Sequence, residues 1–210
     1  MRNQLPPRWP HRHDTTALAA RPADGQTLLD ASDKQILLRL ARETVSRQLT
    51  SGTLPLPRSA SPRLLREAGA FVTLKSRGAL RGCIGRLLPD GTLIRTVSAM
   101  AREAAFNDPR FRPVSARELG DIEIEISVLT PMRAVRGPDD IVLGRDGVVL
   151  RVGDRTAVFL PYVATEQGWA KTELLDNLAL KAGLPVSAWR SSNARFQTFQ
   201  SDVFSEAGHK

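Results

Sequence analysis

The chain has 210 residues, of which 41% are hydrophobic and 25% charged, so it can bury a sizeable core without disulfide or metal support. A single cysteine excludes an intramolecular disulfide framework, and the absence of a long apolar run argues against a membrane span and a secretory signal, so we expect a cytoplasmic protein. Thirty Lys and Arg residues against 22 Asp and Glu residues give a formal charge of +8. This charge does not by itself indicate nucleic-acid binding, because most of the cations are arginines and arginine richness also follows from GC-rich coding.

The chain is expected to consist of a tail and one folded domain. Residues 1–27 hold four prolines, four arginines and two aspartates without apolar periodicity, and we interpret them as a flexible tail. The folded domain is predicted to cover residues 28–210. Its first helix is predicted to run from Ser32, as the N-cap, to about Leu49, because apolar residues recur along one stripe.

Two β-rich segments follow, "AFVTLKS" and "ALRGCIGRL", and they are predicted to form a hairpin that turns at Arg77 and Gly78. Thr92 is the predicted cap of a second helix that ends near Phe106. The segment "SARE" at 115–118 has the Ser-x-x-Glu spacing of a capping box and predicts a short helical turn.

The second half of the chain is predicted to be rich in antiparallel strands. In "DIEIEISVL" every second residue is apolar, the pattern of a strand with one buried face. The segment "DIVLGRDGVVLRVGDRTAVFLP" predicts three short strands, "ARFQTFQSDVF" predicts a final strand, and helices are predicted at 163–168 and 172–182. Because this order lacks regular βαβ alternation, we predict an α+β fold with a mostly antiparallel sheet flanked by helices.

Histidines are found only near the ends of the chain, at His11, His13 and His209. A Ser-His-Asp triad, a Cys-His dyad and a zinc site of His and Cys ligands are therefore not expected in the folded body. The sequence predicts neither a metal nor a cofactor.

The one cysteine, Cys83, lies in the frame "RGCIG". Strand alternation places Arg81 on the same face as Cys83, and a nearby guanidinium would favour the thiolate form. Gly82 and Gly85 indicate a bulge, a bend, or close approach by a ligand or by another backbone segment. Two interpretations are open: a reactive thiol, or a small residue that packs in a tight corner of the core.

Two further sets of polar residues are candidates. Glu123 and Glu125 share one face of their strand, where carboxylates can bind a hard cation or transfer protons; an exposed face paired with arginines is the commoner explanation. In "NDPRF", Pro109 ends the second helix and Asp108 can accept a hydrogen bond in the turn. The simpler interpretation of this motif is a structural corner against which Phe111 packs.

Five segments occur in the order found in the AMMECR-type domain family, which this chain resembles. They are "LRGCIG" at 80–85, "FNDPRF" at 106–111, "DIEIEISVLTP" at 121–131, "VFLPYVATEQGW" at 158–169 and "AGLPVSAWR" at 182–190. The resemblance covers about residues 30–204. It implies an α+β domain in which two subdomains form one compact unit.

The resemblance implies no established reaction. In prokaryotes the family is similar to protein A of the AmmeMemoRadiSam system, which accompanies a Memo-like protein and a radical SAM protein. It therefore implies a component of a protein or small-molecule modification system with these two partners. The alternative is a non-enzymatic binding or scaffold module for a protein partner or for nucleic acid, and no membrane partner is expected.

The family signature is the RGCIG stretch, and the candidate pocket combines it with the corner at 108–111. Cys83 is the candidate catalytic residue, as nucleophile, carrier or contact for a small molecule. The candidate binding residues are Arg81, Gly82, Ile84, Gly85, Asp108, Arg110, Phe111 and Glu125.

Overall fold

The computed structural model describes residues 29–53, 55, 57–58 and 61–209, so the tail predicted at 1–27 lies outside the described residues together with His11 and His13. The described helices are α1 (Ala31–Thr50), α2 (Pro62–Leu65), α3 (Leu93–Phe106), α4 (Val163–Gln167) and α5 (Lys171–Lys181). The described strands are β1 (Ala70–Ser76), β2 (Ala79–Arg86), β3 (Ile122–Leu129), β4 (Arg133–Val135), β5 (Gly147–Val152), β6 (Arg155–Phe159), β7 (Ala194–Phe199) and β8 (Ser201–Ser205).

The first sheet has the antiparallel order β2-β1-β3-β8, with α1 and α3 packed on one face. The predicted hairpin is confirmed: Arg77 and Gly78 have φ of 51° and 80°, the left-handed pair that a tight hairpin turn uses. The alternation of β3 is confirmed as well, because Ile124 and Ile126 are fully buried against the helices. This sheet and its two helices enclose the larger core.

The caps of the first two long helices differ from the prediction in one respect. The N-cap of α1 is Asp30, whose carboxylate accepts the N–H of Asp33 at 2.9 Å, and Ser32 lies within the first turn instead. The helix starts earlier than predicted because a carboxylate accepts the free N–H groups of a first turn well. Helix α3 does begin after Thr92, as predicted.

The second sheet has the antiparallel order β4-β7-β5-β6 and packs with α4 and α5 around its own core. The prediction of three strands between residues 140 and 161 is wrong, because only β5 and β6 form there. The first segment is a turn, since the carboxylate of Asp146 accepts the N–H of Val142 at 2.9 Å. This bond folds the chain back before a strand can form.

The predicted final strand is in fact two strands that belong to different sheets. β7 ends at Phe199 in the second sheet, and β8 begins at Ser201 in the first. The chain also crosses between the sheets after β3, and the two crossings are joined there. The N–H of Thr130 donates to the carbonyl of Gln200 at 2.9 Å, and the N–H of Gln200 donates to the Thr130 hydroxyl at 2.8 Å.

A third, small apolar cluster joins the two sheets. It contains Leu129, Val149 and Phe199, with Phe71 packed against it. Two cores joined in this way form one α+β domain of two subdomains with antiparallel sheets and flanking helices, so the predicted fold class is confirmed. Among the described residues, none of the helices has the length and apolar character needed to cross a bilayer.

Candidate functional site

The face of the first sheet that points away from α1 and α3 carries a set of polar side chains, which we call the Cys83 face. It is formed by Thr73, Lys75, Cys83, Glu123 and Glu125, contributed by β1, β2 and β3. Alternation along each strand explains the set, because the residues between them are the apolar ones buried under the helices. All but Lys75 remain partly exposed.

The thiol of Cys83 is half-buried on this face and accepts a hydrogen bond from the Thr73 hydroxyl at 3.3 Å. Burial raises the pKa of Cys83, and this effect outweighs both the Thr73 bond and the positive charge of Arg110. The thiol is therefore neutral at pH 7. The arrangement does not produce the activated thiolate that a neighbouring guanidinium would favour.

The main chain of Cys83 is held by an ion pair at the edge of the sheet. Its N–H donates to Oδ2 of Asp108 at 2.9 Å, and its carbonyl accepts Nη2 of Arg110 at 3.1 Å. Asp108 and Arg110 are themselves paired at 2.7 Å, and Asp108 is 4% exposed. Because β2 is an edge strand, these two side chains take the place of a neighbouring strand.

Burial acts to raise the pKa of Asp108, but its hydrogen bonds to Arg110 and to the N–H of Cys83 outweigh burial and lower the pKa to about 2. The carboxylate therefore stays charged throughout the neutral range. The corner at 108–111 is thus a fixed electrostatic clamp on the strand that carries the thiol.

The glycines of the RGCIG frame are explained by close packing on both faces of β2. A Cβ atom on Gly82 would lie 2.2 Å from the carbonyl oxygen of Ala104, so only glycine lets the backbone of α3 approach this closely. A Cβ atom on Gly85 would lie 2.1 Å from Cδ1 of Phe71, on the opposite face. Cys83 therefore lies on a strand that packs closely against α3 at Gly82 and against the ring of Phe71 at Gly85.

Arg81 contributes to the corner and not to the environment of the thiol. Its Nε donates to Glu118 at 2.8 Å, and this bond, with the Ser115 N–H and hydroxyl, lowers the pKa of Glu118 to about 2. The ring of Phe111 lies under two guanidinium groups, 6.0 Å from Cζ of Arg81 and 5.5 Å from Cζ of Arg110. The Ser-x-x-Glu pattern at 115–118 does form the predicted turn.

Glu125 is the predicted residue that shares the face with Cys83, and it is paired with a lysine that the sequence analysis did not single out. Nζ of Lys75 donates to Oε2 of Glu125 at 2.8 Å, and Lys75 is 8% exposed. In the register of the sheet Lys75 lies directly opposite Glu123, with Glu125 on the diagonal. The alternation in "AFVTLKS" already places Lys75 on the same face as Thr73, which is the signal that could have found it.

Tyr162 is the second residue that sequence reasoning missed. It lies between β6 and α4, in the part of the chain that packs around the second sheet. Burial raises its pKa, and the charges that Cys83 and Glu125 carry when ionised act in the same direction, so its phenol group lies within electrostatic range of both. It is the only tyrosine in the chain and lies inside "VFLPYVATEQGW".

The remaining predicted residue, Ile84, points to the other side of the sheet and packs against the larger core. The structure therefore brings Cys83 and Glu125 onto one face, holds Asp108 and Arg110 at its edge, and places Arg81 and Phe111 at the adjoining corner. Among the described residues, no group of three or more His, Cys, Asp or Glu side chains is arranged to hold a metal ion. The face offers a neutral thiol and a half-buried ammonium–carboxylate pair for contact with a ligand, and the phenol of Tyr162 lies within electrostatic range.

Comparisons with known proteins agree with the fold described above. A family model described as AMMECR1 matches residues 38–204. Protein PF1979 of Pyrococcus furiosus is 38% identical over 183 residues, 82% of this chain and 87% of that protein. A protein of Methanothermobacter thermautotrophicus is 39% identical over 187 residues, 86% of this chain and 97% of that protein. The crystal structure of the uncharacterized protein PH0010 from Pyrococcus horikoshii has a TM-score of 0.78 and 34% identity, and the match covers 86% of this chain and 94% of that one.

Proposed function

We propose that this chain, which belongs to the AMMECR1 family, is a component of a protein or small-molecule modification system that acts with a Memo-like and a radical SAM protein. The proposal rests on the family membership and on the residues of the Cys83 face. One observation carries the proposal. The Cys83 face presents a thiol and an ammonium–carboxylate pair on a surface that stays partly exposed, and the phenol of Tyr162 in the second subdomain lies within electrostatic range of Cys83 and Glu125. Ligand sites typically use a small number of placed polar groups and often lie where two domains meet.

The proposed role of the face is to hold the substrate while a partner supplies the reaction. Cys83 is neutral at pH 7 because burial raises its pKa, so it acts as a contact for the substrate and not as an attacking thiolate. Lys75 and Glu125 present a fixed charge pair, and Tyr162 adds a hydroxyl from the second subdomain. These groups recognise a polar substrate without needing a histidine.

Affinity purification of the tagged full-length chain from its own cells tests the partnership. We expect a Memo-like and a radical SAM protein to be enriched over a purification of an unrelated tagged protein of similar charge. If neither is enriched, even after crosslinking in intact cells, the proposed partnership is wrong.

The alternative is a binding or scaffold module, and one observation favours it. The charged groups of the RGCIG strand and its corner are paired with each other: Asp108 with Arg110, and Arg81 with Glu118. Such a corner can be purely structural. The scaffold hypothesis predicts that a folded Cys83→Ala variant restores full function to cells lacking the gene, whereas the substrate-holding role predicts that it does not.

A further inference from the structure

A groove runs along the exposed side of α1, on the opposite side of the first sheet from the Cys83 face. It has a volume of about 320 Å³ and is bordered by α1, by Pro55 and Arg58, and by the start of α3. Three of its lining residues are arginines, namely Arg39, Arg47 and Arg58, and the one lining acid is Glu43. Its volume lies at the lower end of the range of ligand sites.

The groove has a surplus of positive charge. Glu43 is bonded to Arg47 at 2.7 Å, so these two charges compensate each other. Arg39 and Arg58 form no ion pair or hydrogen bond with any residue that the structure describes. Two guanidinium groups are therefore free to bind an anionic occupant.

The floor of the groove is apolar. Ile36 is partly exposed there, and Leu40 and Ile94 lie beneath at 8% and 2% exposure. Pro55 lines one side of the groove. An occupant that matches the groove therefore combines acidic groups with an apolar side chain. Among the described residues that line the groove none is aromatic, so it lacks the rings on which the bases of a single-stranded nucleic acid stack.

The length of the groove favours an extended occupant over a single small anion. Its lining residues on α1 run from Ile36 to Arg47, and a helix rises about 1.5 Å per residue, so the groove extends for about 16 Å along α1. A stretch of about five extended residues covers that length, since each adds about 3.3 Å. A single carboxylate or phosphate would fill only part of it.

Charge argues against residues 1–27 of this chain, and against a second copy, as the occupant. Residues 1–27 hold four arginines against two aspartates, and a second copy carries the same charge of +8. We propose that the groove is a docking site for an acidic segment of a partner protein, with carboxylates on Arg39 and Arg58 and an apolar side chain on the floor. The site is separate from the Cys83 face and goes beyond the function proposed above.

Fluorescence anisotropy with labelled decapeptides tests the docking site on the full-length protein. The main probe is a decapeptide in which Glu residues flank Leu residues. Two reference peptides replace either every Leu by Ser or every Glu by Gln. The fourth probe is a single-stranded oligonucleotide with the same charge as the main probe. We expect the main probe to bind tightest. The double variant Arg39→Glu, Arg58→Glu should weaken its binding about tenfold, because each reversed charge repels a carboxylate.

Matched controls separate this site from general charge attraction. Arg117→Glu with Arg151→Glu changes the net charge equally at exposed positions outside the groove and should weaken binding less than about twofold. If charge reversal impairs folding, the milder double variant Arg39→Gln, Arg58→Gln replaces it. This variant should also bind the main probe more weakly than the control variant does. Cys83→Ala should leave binding of the main probe unchanged, because Cys83 lies outside the groove. The docking result is therefore independent of whether the proposed function of the Cys83 face is correct. The proposal is overturned if the groove variant and the control variant weaken binding of the main probe equally. It is also overturned if the oligonucleotide binds more tightly than the main probe and the groove variants abolish that binding.

Discussion

The main-chain N–H of Cys83 donates to the carboxylate of Asp108 at 2.9 Å, across 25 positions of sequence. Through this bond the corner after α3 holds the edge strand that carries the thiol. Arg110 completes the clamp, since it bonds both the Asp108 carboxylate and the carbonyl of Cys83. The RGCIG frame and the NDPRF corner are thus one structural unit.

Replacing Asp108 by Asn should lower the free energy of unfolding at pH 7 by about 2 kcal/mol. The value follows from the pKa of about 2 against the usual 3.8, since each unit corresponds to about 1.4 kcal/mol, and the side chain is almost fully buried. Urea unfolding measures the change. Asp139→Asn, at an exposed carboxylate, is the control; equal stability of the two variants would contradict the clamp.

The same clamp predicts acid sensitivity. Because the pKa of Asp108 is lowered in the folded state, its contribution is fully present above about pH 4 and is lost as the pH falls towards 2. The stability difference between wild type and Asp108→Asn should therefore shrink over that window. A difference that stays constant from pH 6 to pH 2 would show that Asp108 is not held as the charged form.

Gly82→Ala should destabilise the protein by about 3 kcal/mol, because its Cβ would lie 2.2 Å from the carbonyl oxygen of Ala104 in the backbone of α3. Gly120→Ala is the matched control, since a Cβ there meets no atom within 4 Å. Thermal unfolding compares the two variants. If both unfold at the wild-type temperature, then α3 does not approach β2 as described.

Alkylation of Cys83 by iodoacetamide should show a pH midpoint above that of the same chain unfolded in urea. Burial raises the pKa of the thiol in the folded state, and only the thiolate reacts. No other cysteine is present to confuse the measurement. A midpoint at or below that of the unfolded chain would instead indicate an activated thiolate and a nucleophilic role.

Local patterns in the sequence predict the local structure well. The alternation in "DIEIEISVL" predicts β3 and its buried face, and Arg77 with Gly78 predicts the hairpin turn. The break in "ARFQTFQSDVF" could not be predicted, because the segment contains no Gly or Pro. Its division at Gln200 depends on a hydrogen-bonded crossing with Thr130, 70 positions away.

The candidate site shows the same limit. Sequence spacing places Cys83 on a strand face and identifies the NDPRF corner, but the bond between Cys83 and Asp108 is a tertiary contact. Tyr162 lies 79 positions after Cys83, and the two residues come within electrostatic range only in the folded chain. Neither relationship has a signature within a window of a few residues.

The most direct test of the proposed function is quantitative mass spectrometry of proteins and metabolites from cells that lack this gene. We predict a mass difference from wild-type cells that the wild-type chain removes. Cys83→Ala and Tyr162→Phe, verified as folded, should not remove it, whereas the control Arg151→Gln should. A gene deletion that changes no mass, or full restoration by both Cys83→Ala and Tyr162→Phe, would contradict the account.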